Sequence, residues 1–257
     1  MHTTQNKMVD EMIEKDTRRK REARVCAIRQ ITPKMKRITL CGDDIDKFID
    51  DPRTHEPASW MKIFFPYRDT LVGRAYTIRG ANEFTRTIDI DMVLHGEGSA
   101  ASWAENAVLG DKLGFAGPCS GGFRLQPETR WVLLLGDETA LPAMNSILDT
   151  LSDTILVFWF AEVSDRQEIQ RIDDPRLQVN SWSIRTRHFD NVMNSPLVQA
   201  VSRCQLPAAR GQVWLACEQQ VAVYLKNHFI NEVGIPKTAL FAKGYWKKGE
   251  SNFKGSA

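Results

Sequence analysis

Period-two alternation dominates the first half of the chain. In "RTIDIDMVLH", Ile88, Ile90, Met92 and Leu94 fall on one face, while Thr87, Asp89, Asp91, Val93 and His95 fall on the other. That is the pattern of an antiparallel strand with one buried and one solvated side. Shorter runs of the same kind, "RVCAIRQI", "KRITLCG", "MKIFFP", "AYTIRG" and "DKLGFAGP", are separated by turn residues between Val25 and Gly117. About six strands with little helix between them predict a small antiparallel barrel or sandwich.

After Pro127 the pattern changes. "WVLLLG", "TILVFWF" and "QVWLACE" are continuous apolar runs, interleaved with the helical segments "ALPAMNSILDTL" and "QVAVYLKNHFINEVG". Strands apolar at every position are buried on both faces, as in a parallel sheet covered by helices. The aromatic run Val157 to Phe160 accordingly reads as core. A boundary near "LQPETR" gives three segments: a charged lead-in over 1–22, an antiparallel domain over 23–128, and an α/β domain over 129–257 that includes a C-terminal extension.

Composition narrows the function classes. With 257 residues and 42% hydrophobic content the chain can bury a large core, and 34 basic against 32 acidic residues leave a net charge of +2. Such a balance calls for neither nucleic acid nor an anionic membrane surface. The run "RRKRE" is surrounded by Asp10, Glu11, Glu14, Asp16 and Glu22, a mixed-charge solvated lead-in. No segment has the apolar core of a signal peptide or the ~20 apolar residues of a membrane span, so a cytoplasmic location without stable membrane association is expected. Five cysteines without CxxC spacing and five scattered histidines argue against a disulfide framework and a metal site.

Three constellations carry chemistry. In "GRAYTIRG", Arg74 and Tyr76 share one strand face, expected to be the wet one, where a ring can stack on a planar ligand while a guanidinium binds its phosphate oxygens. The same face also suits a solvated edge strand whose arginines oppose aggregation. In "HGEGSAASWAENA", Gly96 and Gly98 precede a helix that Ser99 or Ser102 can cap, either as an anion site or as an ordinary helix start packed by Trp103. In "LLLGDETALPAM", a buried strand ends at Gly136, and a helix follows with Thr139 as cap and Pro142 in its first turn. Nucleotides bind at such strand ends, although GxGxxG is missing and a plain structural turn has the same form.

Taken in order, "MKIFFP", "RAYTIR", "DIDMVLHGEGSAASWA", "GDKLGFAGP", "LLLGDETALPA", "VWLACE" and "KGYWKKGE" resemble the siderophore-interacting protein family, flavin-dependent ferric-chelate reductases within the ferredoxin–NADP reductase-like superfamily. The resemblance implies a six-stranded FAD-binding barrel followed by a Rossmann-like NAD(P)-binding domain, with the flavin between them. It implies that Arg74 meets the pyrophosphate, Tyr76 stacks on the isoalloxazine and Thr77 faces its reactive N5 edge. By the same resemblance Ala75, Arg79, His95, Gly98, Ser99, Ala101 and Ser102 complete the FAD site, with the helix from Ser102 pointing its N-terminus at phosphate. Asp137, Glu138, Thr139, Glu218 and Trp246 fall to the nicotinamide side.

The sequence departs from the family pattern in two places. Cys217 stands where a small residue is usual, and "SWSIRTRHFDNVMNSP" is irregular, so the choice between NADH and NADPH does not carry over. Lys62 matches a family lysine at the substrate rim, and Lys243, Lys247 and Lys248 can add to it for an anionic ferric siderophore. Two alternatives remain open at this point: electron transfer to a protein acceptor such as ferredoxin or flavodoxin, and a carrier or sensor that binds iron chelates without turnover.

Overall fold

A computed structural model describes residues 21–67, 70–96, 98–185 and 191–250, together with 253 and 255. It divides into two compact units after Gly122. The lead-in read for 1–22 lies outside the described residues as far as position 20. Arg21 and Glu22 do not belong to it: they open the first strand, because they pair in register with Phe115 and Gly114.

The first unit contains β1 (Arg21–Thr32), β2 (Met35–Cys41), α1 (Asp43–Ile49), β3 (Trp60–Tyr67), β4 (Thr70–Thr77), β5 (Gly80–Asn82), β6 (Thr87–Val93), α2 (Ser99–Asn106) and β7 (Lys112–Cys119). Its strands form one antiparallel sheet in the order β4-β3-β7-β1-β2-β6-β5. All six expected strands are present. The seventh is the three-residue β5, which sequence reading had not separated from "AYTIRG" because so short a run carries no alternation of its own.

Topology curls this sheet. β4 and β5 stand at opposite ends of the strand order, yet only Ile78 and Arg79 separate them in sequence. A two-residue link can span roughly 11 Å between its flanking Cα atoms, so the two edges must approach each other. No ladder joins them among the described residues, so the sheet curls in the sense the expected barrel requires without a closing ladder.

Inside the curl lie Ile38, Leu40, Met61, Ile63, Phe65, Ile88, Ile90, Met92, Leu113 and Phe115, each wholly buried. They come from the faces that alternation assigns. Asp91 is the exception on the outer face: buried, it is held by Arg37 through two hydrogen bonds of 2.6 and 2.8 Å. α1 closes one end with Ile45, Phe48 and Ile49 at i, i+3 and i+4, and Asp43, Asp44 and Asp46 favour its N-terminal dipole.

The second unit contains β8 (Trp131–Asp137), α3 (Leu141–Thr150), β9 (Leu156–Val163), β10 (Leu177–Ile184), α4 (Pro196–Val201), β11 (Gly211–Glu218), α5 (Gln219–Asn231) and β12 (Leu240–Trp246). Its sheet is parallel throughout, in the order β10-β9-β8-β11-β12. Every residue of β8 and β11 is buried, the polar Asp137, Gln212 and Glu218 near their ends included, as the apolar runs between them require. Phe158, Trp159 and Phe160 are core. Part of the stretch read as irregular is regular: Ser181–Ile184 completes β10, while residues 186–190 lie outside the described ones.

Strand order reverses between β8 and β11, which opens a crevice at their carboxyl ends. Gly136 is needed there. A Cβ at this position would stand 2.5 Å from the Ala140 Cβ and 2.7 Å from the Ala216 carbonyl oxygen, so only glycine lets the chain turn into α3.

Candidate functional site

In the first unit the candidate residues gather on β4 and at the start of α2. Register places Tyr76 opposite Met61 and Arg74 opposite Ile63, and both partners are wholly buried. The expected wet face of Arg74 and Tyr76 is therefore the core side of the sheet. Both remain half-buried because β4 is an edge strand, where the core thins.

The Tyr76 ring meets Phe65 edge to face, with centroids 5.9 Å apart, and Phe65 in turn contacts Trp103 of α2 at 4.8 Å. Burial pushes the Tyr76 phenol above its ordinary range, so the ring is a neutral surface. On the opposite face Thr77 is buried, Ala75 is exposed, and Lys62, opposite Ala75, is exposed with its amino group 5.6 Å from the Phe64 ring centroid. Arg79 gives its backbone N–H to the Asp89 carbonyl.

α2 begins at Ser99, three residues before the start implied at Ser102. Gly98 is its N-cap at φ 84°, and no side chain caps the helix, so neither serine plays the expected capping role. Ser102 instead gives its backbone N–H to the Gly98 carbonyl as part of the first turn. His95 is exposed and folds back beside Gly98, its Cε1 lying 3.8 Å from where a Cβ on that glycine would be. Ser99 and Ala101 are buried and Ser102 is exposed. The uncapped first turn leaves N–H groups and the positive end of the helix dipole for an anion.

In the second unit, the carboxyl ends of the strands surround a pocket of about 250 Å3 lined by Asp137, Glu162, Arg185, Cys217, Glu218 and Trp246 among others. Asp137 ends β8. Its Oδ1 accepts from the Thr139 N–H at 2.9 Å and hydroxyl at 2.6 Å, and its Oδ2 accepts the Trp246 indole N–H at 2.7 Å. Thr139 is thus occupied by Asp137, and Ala140 takes the N-cap position of α3 that Thr139 was expected to fill. Glu218 caps α5, accepting from the N–H groups of Gln220 and Val221. Its other oxygen accepts from the N–H of Lys248.

Arg185, just past β10, binds Glu162 at 2.8 Å and Glu138 through its other terminal nitrogen, and its guanidinium lies 5.9 Å from the Trp246 ring centroid. Glu162 also accepts the Leu197 N–H. Burial, reinforced by the charge of Asp137 and only partly offset by Arg185, pushes Glu138 up to about 7. Burial likewise raises Glu162 against the pull of Arg185. For Arg185, burial opposes the charge, but Glu138, Asp137 and Glu162 outweigh it and hold the guanidinium charged. Cys217 is held well above the ordinary thiol range by burial and then by Asp137, Glu162 and Glu218. It is a small neutral wall of the pocket.

Asp137, Glu218, Trp246, Lys247 and Lys248 therefore line one crevice in the second unit, while Glu138 and Thr139 stand behind it, bonded to Arg185 and Asp137. Arg74 to Arg79, Lys62 and the α2 start belong to the first. Lys247 is paired with Glu250 at 2.8 Å. Sequence reading missed Glu162 and Arg185: Glu162 had a signal, a charge near the carboxyl end of the apolar β9, whereas Arg185 follows the half-polar β10 and had none. Among the described residues no cluster of metal-ligating side chains occurs, and no helix is long and apolar enough to cross a membrane.

Comparison with known proteins agrees with this division. The family model for the siderophore-interacting FAD-binding domain matches residues 58–122, and that for the siderophore-interacting protein matches residues 129–249. The ferric vibriobactin reductase ViuB of Vibrio cholerae is 28% identical over 245 residues, covering 86% of this chain and 87% of its own. A siderophore utilization protein from T. fusca superposes with a TM-score of 0.80 at 28% identity, over 91% of this chain and 95% of that one. A ferredoxin NADP+ reductase from Neisseria gonorrhoeae with bound FAD and NADP shares the fold at a TM-score of 0.60 and 12% identity, over 88% and 99% of the two chains. With one such family model in each compact unit, the chain belongs to the siderophore-interacting protein family, and its first unit carries that family's FAD-binding domain.

Proposed function

We propose that this protein reduces ferric siderophores, using electrons from NADH or NADPH and FAD as its resident cofactor. The observation that carries the reading is the pairing, on one chain, of an FAD-binding unit with a parallel sheet whose order reverses above a built crevice. Similarity to a ferric vibriobactin reductase supports the choice of substrate.

The residues present fit a flavin dinucleotide. Tyr76 offers a half-buried ring, Arg74 a guanidinium two residues away on the same strand face, and α2 an uncapped N-terminus. Arg74 and the first turn of α2 would bind the phosphates, and Tyr76 would carry the ring. Ala75, Arg79, His95, Ser99, Ala101 and Ser102 would complete the site, with Thr77 at the reactive edge. When bound, the flavin accepts two electrons at once and releases them singly, matching a nicotinamide donor to a one-electron metal. Asp137 and Arg185 would hold Trp246 in place, and the neutral Cys217 would give the nicotinamide an uncharged wall. Lys62, Lys247 and Lys248 would draw in an anionic chelate. Reduction loosens the chelate because hard oxygen donors favour Fe(III) over Fe(II).

The test is an anaerobic titration of the purified protein. A yellow protein that NADH or NADPH bleaches, and that a ferric siderophore then reoxidises with Fe(II) captured by a ferrous chelator, is the expected result. A colourless protein after incubation with FAD points to a carrier. Reoxidation by ferredoxin or flavodoxin but not by ferric chelates points to a protein acceptor.

A further inference from the structure

Two of the five cysteines lie on neighbouring strands of the first unit, remote in sequence from the residues assigned to flavin. In the β1–β2 ladder Arg24 faces Cys41 and Val25 faces Leu40, after which the register shifts and Ala27 faces Thr39. Cys26 is thus the additional residue of a β-bulge. Burial along the strand records what the bulge does. Val25 is buried, but Cys26 and Ala27 are both exposed, so the alternation breaks and Cys26 is turned to the outer side of the sheet.

Cys41 emerges on that same side, because its neighbour Leu40 points wholly into the core. The Cys26 thiol donates to the Thr39 carbonyl oxygen at 3.4 Å, and Cys41 is near enough to influence its titration. Burial, followed by that influence of Cys41, pushes Cys26 up to about 12. The other cysteines stand elsewhere: Cys119 at the end of β7, Cys204 beyond α4, and Cys217 buried in β11.

We propose that Cys26 and Cys41 are a redox-responsive pair that closes a disulfide between β1 and β2 on meeting a low-molecular-weight disulfide. One cysteine of the pair, as thiolate, attacks one sulfur of the small disulfide, forming a mixed disulfide and expelling one thiolate. The other then attacks the protein sulfur of that mixed disulfide, its proton passing to solvent, and expels the second thiolate. Two electrons leave the protein pair, the small disulfide becomes two thiols, and one S–S bond replaces another. The bond fastens β1 to β2 at the bulge, where the ladder is interrupted.

The test exposes the reduced, FAD-loaded protein to glutathione disulfide, quenches with acid, and counts thiols before peptide mapping. Loss of two of the five thiols, with a Cys26–Cys41 linked peptide, is the expected result. Cys26→Ser and Cys41→Ser should each remove the link and accumulate glutathione on the cysteine that is left. The double variant should lose no thiols under the same exposure. Glutathione found separately on both residues of the parent protein, or equal thiol loss in the double variant, overturns the proposal. Because the readout is covalent linkage, it does not depend on whether the protein reduces siderophores.

Discussion

The Trp246 indole donates its N–H to Asp137 Oδ2 at 2.7 Å and so ties the end of the last strand of the parallel sheet to the end of the first. Asp137 is almost wholly buried, and its other oxygen is already committed to Thr139. Replacing the indole leaves one carboxylate oxygen without its donor at the floor of the crevice. Trp246→Phe keeps a ring beside Arg185 but loses that hydrogen bond. It should cost roughly 1–3 kcal/mol, the range for stranding a buried polar atom, and should raise the Kd for NADH or NADPH while leaving FAD affinity unchanged. Equilibrium unfolding and nicotinamide titration check the two halves separately.

Arg185 is held by Glu138, in the turn just past β8, and by Glu162 of the neighbouring β9, and all three side chains are at most 15% exposed. Removing the cation strands two buried carboxylates, whereas removing one carboxylate leaves the other pair intact. Arg185→Leu should therefore destabilise by about 3–5 kcal/mol, and Glu138→Gln by far less. Denaturant unfolding of the two variants at neutral pH tests the ranking. Comparable losses would show that the triad is not organised around the arginine.

Legibility in the sequence followed the kind of signal each feature leaves. β6 and β8 could be read from side chains alone, because Ile88, Ile90 and Met92 alternate and Trp131 to Leu135 do not. The curl of the first sheet could not, since it rests on which strands neighbour β4 and β5, a long-range fact. Tyr76 shows how a face can be misassigned. Its strand was read from its own polarity, whereas its burial comes from Met61 and Phe65 on β3. The caps failed for a related reason. Thr139 has the right chemistry to cap α3, but Asp137 two residues earlier captures its hydroxyl first. Arg185 and Glu162 were invisible as a pair because 23 residues separate them and only the parallel register of β9 and β10 joins them.

Glu138 gives the second unit a pH dependence with a definite sign. Its carboxyl titrates near 7 in the folded protein against an ordinary value of 4.5, so between those limits the folded state binds the proton more tightly than the unfolded state. Stability should accordingly fall as pH rises through that window and level off above it, by an amount on the order of 1–3 kcal/mol. The groups facing Glu138 are Asp137, which raises it further, and Arg185, which opposes the shift. Glu138→Gln should make the fall shallower, leaving the contribution of Glu162, which burial raises in the same direction. Urea midpoints collected between about pH 5 and pH 8 test this, and a parent protein whose stability climbs through the window contradicts it.

Lys62 is exposed on the outer face of β3, beside Phe64. If it helps to draw in an anionic chelate, its contribution must be local, because the net charge of the chain is only +2. Screening over ~8 Å at physiological ionic strength should then weaken it. Lys62→Ala should slow reoxidation by a ferric siderophore at low salt, converge on the parent rate at high salt, and leave reduction by the nicotinamide unaffected. Stopped-flow traces of the two half-reactions separate these outcomes, and equal slowing of both rules out a role confined to the chelate.

Arg74 and Thr77 stand three residues apart on one edge strand but on opposite faces, and their variants should fail differently. Arg74 shares the core side with Tyr76, where, on the proposed function, the guanidinium would meet phosphate and the ring would support the flavin. Losing a hydrogen bond to a charged group costs about 1.5–3 kcal/mol, so Arg74→Ala should weaken FAD binding roughly 10- to 150-fold. Thr77 is buried at the strand end, and Thr77→Val conserves its shape while deleting the hydroxyl. That variant should retain FAD but slow bleaching by NADH or NADPH, as expected of a group that sets the approach to the reactive edge. Flavin fluorescence titration measures the first effect and anaerobic stopped-flow absorbance the second. If Thr77→Val loses flavin in proportion to its loss of rate, the residue only supports the strand, and the reactive edge lies elsewhere along β4.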